Sequence, residues 1–147
     1  AGTDGNVDVV WRGIEGFWGN VWEWVDGVNW GNGTYYVCNN QSKYADGTTS
    51  NYTELSFTGS TNWSGNYIAE EGLDIANNHV ILPRAANVGG ANAYECDACW
   101  SGTGWCTFRR GGGWDNISYC GLFAAALNFD PSSYGSNVGA RLLYIPS

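Results

Sequence analysis

Residues 13–27 read Gly13-Ile14-Glu15-Gly16-Phe17-Trp18-Gly19-Asn20-Val21-Trp22-Glu23-Trp24-Val25-Asp26-Gly27. Trp22 and Trp24 fall two apart, with Val28 close to the same row, while Val21, Glu23 and Val25 make the alternate set. A period of two belongs to a strand, so the stretch predicts a strand with one Trp face, stopped by an Asp26-Gly27 turn. A Glu between two Trp calls for a partner, either backbone amides or an ion. Just upstream, Val7-Asp8-Val9-Val10-Trp11 is β-branched and predicts a buried strand.

The composition around this stretch fits one domain. The chain has 147 residues, 44% of them apolar and nine of them Trp, enough for an aromatic core. Its 22 Gly are about twice the usual share and predict many turns and short strands. The formal net charge of -8, with only six Lys and Arg, argues against nucleic acid as a partner. No apolar run approaches the ~20 residues of a membrane span, so membrane insertion is not expected. Ala1 begins no signal peptide, so any export signal is expected to have been removed or to lie elsewhere. Residues 1–6 read as a linker into a larger parent protein, 7–108 as scaffold and 109–144 as the functional segment of a single domain, 1–147.

Between the Trp-rich strand and that segment, Thr34–Cys38 and Tyr52–Phe57 read as strands, and Asn39–Gly47 and Thr58–Asn66 as loops. Ile68–Asp74 reads as one helical turn, and His79–Pro83 as a short buried strand stopped by Pro83. Of the five Cys, Cys96 and Cys99 form Cys-X-X-Cys. Zinc would need a fourth ligand, and His79 stands without a motif. The alternatives are disulfides, Cys38 with Cys96 and Cys99 with Cys106 across a Gly102-Thr103-Gly104 hairpin, or reduced thiols, with Cys120 unpaired in either case.

The segment 109–144 reads RRGGGWDNISYCGLFAAALNFDPSSYGSNVGARLLY. Arg110-Gly111-Gly112 opens it and Gly139-Ala140-Arg141 closes it. Between them Tyr, Phe, Ile, Asp and Cys stand irregularly among Gly, Ser, Asn and Ala, with no helical period. Gly113, Asp115, Ile117 and Tyr119 lie two apart, so an extended backbone would point all four outward, with Trp114, Asn116 and Ser118 facing the frame. Ile117 and Tyr119 on such a face would make an exposed apolar cluster, which more often marks a binding surface.

Gly19-Asn20-Val21-Trp22-Glu23-Trp24, Arg110-Gly111-Gly112-X-Trp114 and Gly139-X-Arg141 occur in that order and resemble the signatures of formylglycine-generating-enzyme-like domains. Ala140 departs from the family's Gly-Phe-Arg. Through the opening Trp11–Trp24 the chain is most similar to a non-enzymatic branch, the variable proteins of diversity-generating retroelements. The resemblance implies an α+β fold of C-type lectin type, with short antiparallel strands, few helices and many loops. It implies a hypervariable surface that binds a protein or surface polymer on a target cell, carried by a phage tail tip or a bacterial surface protein. Adenine-directed diversification of Asn codons excludes Trp, Met, Lys, Gln and Glu, and 109–144 obeys this everywhere except Trp114. The variable, ligand-binding positions are then Gly113, Asp115, Ile117, Tyr119, Ala126, Phe129, Asp130, Ser133, Tyr134 and Ser136. Gly111, Gly112, Trp114, Leu122, Phe123, Leu127, Gly139 and Arg141 form the frame, with Trp22, Trp24, Trp114 and Arg141 buried.

Two other activities belong to the same resemblance. The copper-dependent enzymes use a Cys pair in a segment similar to Ser118-Tyr119-Cys120, but the first Cys of the pair falls at Asp115, and one thiolate cannot make a two-sulfur copper site. No catalytic residue is therefore expected. Calcium-dependent sugar-binding lectins use Glu-Pro-Asn or Gln-Pro-Asp and Trp-Asn-Asp, whereas this chain has Trp114-Asp115-Asn116. No cofactor is expected beyond a structural calcium near Glu23, held with the backbone oxygens of Gly19 and Val21, where Gly16 replaces the family's Asn.

Overall fold

The computed structural model describes residues 10–11, 14–77, 80–87 and 97–140. Among these residues eleven strands run in chain order: β1 Val10–Trp11, β2 Ile14–Glu15, β3 Trp22–Gly31, β4 Thr34–Val37, β5 Thr53–Thr58, β6 Ser64–Asp74, β7 Val80–Asn87, β8 Ala98–Ser101, β9 Trp105–Arg110, β10 Ala125–Leu127 and β11 Val138–Gly139. Beyond the small β1–β2 hairpin, the other strands make one nine-stranded sheet in the order β5-β4-β3-β9-β10-β8-β6-β7, with β11 added beside β3. The only helical elements among the described residues are two 3-10 turns, Gln41–Lys43 and Ile117–Tyr119. The expected α+β, C-type lectin-type fold is therefore overturned: the chain is nearly all β, a single sheet rolled into a nearly closed barrel.

Two contacts bring the edges of the roll together. The Ser56 N–H of β5 donates to Asp74 Oδ2 at the end of β6, 2.9 Å, and Tyr35 Oη of β4 donates to the Pro83 carbonyl of β7, 2.7 Å. Full burial drives the Tyr35 phenol well above its ordinary range. Trp30, Tyr35, Leu55, Phe57, Trp63, Ile68, Phe108 and Leu127 fill the interior. Phe57 packs so tightly on Gly72 that a Cβ there would enter its ring.

Several local expectations change. Ile68–Asp74 is not a helical turn but the second half of β6, because its alternation of buried Ile68, Gly72 and Asp74 serves a sheet face. Asp26-Gly27 does not end β3. Gly27, at φ 83, instead forms an irregularity between Val25 and Asn29, and the strand continues to Gly31. Nor does Pro83 end β7, since β7 is the edge of the sheet, where a missing N–H costs no ladder bond. Residues 102–104 are not the turn of a β8–β9 hairpin, because β10 lies between those strands. Cys99 and Cys106 sit on the separated strands as free buried thiols. Burial pushes the Cys99 thiol up to about 12. Cys38 is a free buried thiol as well. The proposed partner of Cys38, Cys96, lies outside the described residues, as do His79 and Arg141.

Candidate functional site

The site is built on a row of residues running across four strands. Trp24 of β3 pairs with Arg109 of β9, Arg109 with Ala126 of β10, and Ala126 with Trp100 of β8. Neighbouring strands share a face at paired positions, so these side chains stand together outside the barrel. The next row, with Val25, Phe108 and Leu127, fills the interior. Trp22 joins the outer row through a second cluster with Ala124 and Ala126, packed against Trp100 and Val138. Trp22 meets Trp100 edge-on at 5.5 Å between ring centroids.

Two loops leave β10, residues 111–124 before it and 128–137 after it, and fold back over this outer row. They meet where Asn137 Nδ2 donates to both carboxylate oxygens of Asp115, at 3.1 and 3.0 Å. The first loop is pinned from below. Gly19 N–H donates to the Gly111 carbonyl, Gly111 N–H to the Ala124 carbonyl and Trp114 N–H to the Asn20 carbonyl. Buried Asp97 accepts the Phe123 N–H at 2.7 Å, and Gly121 lies against the same carboxylate with no room for a Cβ. Cys120, also buried, donates its thiol to the Ile117 carbonyl, 2.8 Å. Between the loops is a small cleft of about 160 Å³, lined by Trp22, Trp100, Arg109, Asp115, Asn116, Ala126, Asn128, Phe129 and Asn137.

The sequence-derived positions divide around this cleft. Asp115, Ala126 and Phe129 line it. Tyr119 borders it, stacked on Tyr67 at 5.4 Å and edge-on to Trp100 at 6.4 Å. Ile117, Asp130, Tyr134 and Ser136 are exposed on the two loops, and Ser133 is half-buried. Asp130 accepts from the Ser132 N–H and hydroxyl, which hold its carboxyl below the ordinary range. Gly113 and Ala126 are buried and do not belong on the exposed face. A Cβ on Gly113 would come within 2.6 Å of Asp115 Oδ1 and 3.2 Å of Trp22.

The extended reading of 113–119 also fails. The backbone turns at Trp114-Asp115 and winds into the 3-10 turn Ile117–Tyr119, because Asn116 Oδ1 reaches back to the Gly113 N–H at 2.9 Å and closes the loop on itself. Trp114, expected in the frame, is therefore 61% exposed, and Leu122 and Phe123 are exposed with it. Ile117 adopts φ 50, a left-handed conformation costly for a β-branched residue. Trp22 is buried and Trp24 half-buried.

Glu23 is buried, and the partner it required includes Arg110. The two residues are paired across β3 and β9, with Arg110 Nη2 donating to Glu23 Oε2 at 3.4 Å. The guanidinium already supplies positive charge at this carboxylate, and among the described residues no group of three or more His, Cys, Asp or Glu is placed to hold a metal. Sequence reasoning missed Arg109, Trp100, Asp97, Asn128 and Asn137. Trp100 and Arg109 carried no local signal, because they stand two strands apart on a face that only the register reveals.

No family model, no curated protein and no solved structure matches the chain.

Proposed function

We propose that this chain is a non-catalytic binding module whose ligand surface is the pair of loops 111–124 and 128–137 over the outer row of the sheet. The observation that carries the reading is where exposed apolar bulk lies. Trp114, Ile117, Tyr119, Leu122, Phe123, Phe129 and Tyr134 are all exposed within these two loops, Tyr134 by 95%. Such a concentration of aromatic and aliphatic surface marks an interaction site, and rigid aromatics give contact area at small entropy loss. Ile117 supports the same reading, because its side chain is displayed at a backbone conformation that favours Gly or Asn.

The opening Trp11–Trp24, which resembles that of retroelement variable proteins, supports diversification as the source of this surface. The partner would be a protein or surface polymer on a target cell, met at a phage tail tip or a bacterial surface. Copper-dependent oxidation finds less support here. Cys120 is a buried thiol closed over by Gly112, and Asp115, in the place of the pair's first Cys, is tied to Asn137. The test of diversification is the DNA beside the gene. A reverse-transcriptase gene next to a near-copy of codons 109–144, differing only at adenines, is the expected finding. A near-copy differing at all four bases, or none at all, would remove diversification from the account.

A further inference from the structure

Arg109 is 3% exposed and carries no carboxylate partner among the described residues. Its guanidinium has five N–H donors. Among the described residues its side chain makes one hydrogen bond, from Nη2 to Asn128 Oδ1 at 3.1 Å, and Nε is buried with none. Aromatic rings surround the cation instead, with Phe129 at 3.8 Å and Trp22 and Trp24 each at 5.4 Å from the guanidinium carbon. Cation–π contact offsets part of the desolvation but bonds none of the N–H groups. Burial lowers the Arg109 pKa to about 10, so it remains a cation at neutral pH. The result is a buried positive charge with an unbonded Nε–H, placed in the wall of the cleft.

We infer that Arg109 is a fixed anchor beneath the displayed surface and that the cleft takes the carboxylate of an acidic sugar residue. This rests on the display reading, because Arg109, Trp22 and Trp100 lie outside the positions that vary, while Asp115 and Phe129 form the rim. The frame would set the class of ligand and the rim would choose within it. A guanidinium fork matches a carboxylate in shape and charge. Asp115 shares the cleft and disfavours a doubly charged phosphate, leaving a singly charged acid as the better occupant. The volume, about 160 Å³, is below the ~300 Å³ of a drug-sized pocket and suits one ring. The amides of Asn116, Asn128 and Asn137 and the carboxylate of Asp115 offer donors and acceptors to hydroxyls, and Trp22 and Trp100 offer apolar faces to ring carbons. A peptide C-terminus carries the same charge but would leave most of these amides without hydroxyl partners.

The test titrates the whole chain with methyl glucuronide, methyl glucoside and N-acetylalanine, reading tryptophan fluorescence and the Arg109 Nε–H resonance. Glucuronide is expected to bind at least about tenfold more tightly than glucoside, a difference of about 1.4 kcal/mol, and to shift the Nε–H signal. Asp115→Asn, on an exposed residue, is expected to raise the preference for glucuronide over glucoside severalfold. Arg109→Gln, where it folds, should erase the preference. Equal binding of the two sugars, no glucuronide binding at millimolar concentration, or an Asp115→Asn variant that gains nothing would overturn the anchor. Tightest binding of N-acetylalanine would replace the sugar by a peptide terminus. If glucuronide fails while a library varied on the loops still folds, only the anchor is wrong. If the library collapses while glucuronide binds, the cleft is a fixed sugar site and the display reading is wrong.

Discussion

Gly112→Ala is expected to destabilise the chain by more than about 4 kcal/mol, or to prevent folding altogether. Gly112 has φ 77, and an added Cβ would run into the Cβ of Cys120 and lie 2.9 Å from its Cα. The opposing atoms are backbone and Cβ of a buried residue, so no rotamer change relieves the contact. Gly104→Ala is the control. It shares the left-handed conformation, φ 80, but has nothing within 4 Å of the added Cβ, so it should lose only the conformational term, about 1–2 kcal/mol. Urea denaturation of the two variants separates collision from conformation. Equal losses would mean that Gly112 does not clamp the 111–124 loop as described.

Trp22→Ala is expected to cost about 3–5 kcal/mol. Trp22 is 4% exposed, packs edge-on against Trp100, rests on Ala124 and Ala126, and lies beneath the Arg109 guanidinium. Its removal opens the floor of the cleft and takes away one of the rings that offset the burial of Arg109. Trp114→Ala deletes an equal side chain from an exposed position and should change stability by under about 0.5 kcal/mol. Chemical denaturation decides both, and a Trp22→Ala loss below about 1 kcal/mol would show that the outer row is not a second core.

The contrast between these two tryptophans measures what the sequence could reveal. Trp22 was legible because period two at Trp22-Glu23-Trp24 is strand geometry whatever the sheet, and buried Glu23 needed the partner it finds partly in Arg110. Trp114 was misplaced because period two was carried into a segment where Asn116 turns the chain back on itself. Local alternation cannot register a side chain that closes a loop. The α+β expectation came from motifs, which here fix loops and strand ends but not the number of helices. The strands of 68–74 and 80–87 became a barrel wall through pairing with each other and with β8, contacts between distant positions that no local pattern encodes. The cleft was half legible. Asp115, Ala126 and Phe129 were named from the sequence, while Arg109 and Trp100 enter only through the register of β8, β9 and β10. Gly113 was placed on the surface by the two-apart spacing of 113–119, and Ala126 with the variable positions that the resemblance implies. In the fold they are small because Trp22 and the returning loops leave them no space.

The central claim is that the two loops are a displayed surface carried by a fixed frame. Its most direct measurement is thermal melting of a library randomised at Asp115, Ile117, Tyr119, Phe129, Asp130, Ser133, Tyr134 and Ser136, with Gly113 and Ala126 kept. Exposed substitutions change stability by about 0.5 kcal/mol, and about 1 kcal/mol moves the midpoint of a domain this size by about 2–4 °C. Most members are therefore predicted to fold and to melt within a few degrees of the parent. If most members fail to fold, these side chains hold the structure together rather than stand on it, and the displayed surface is contradicted.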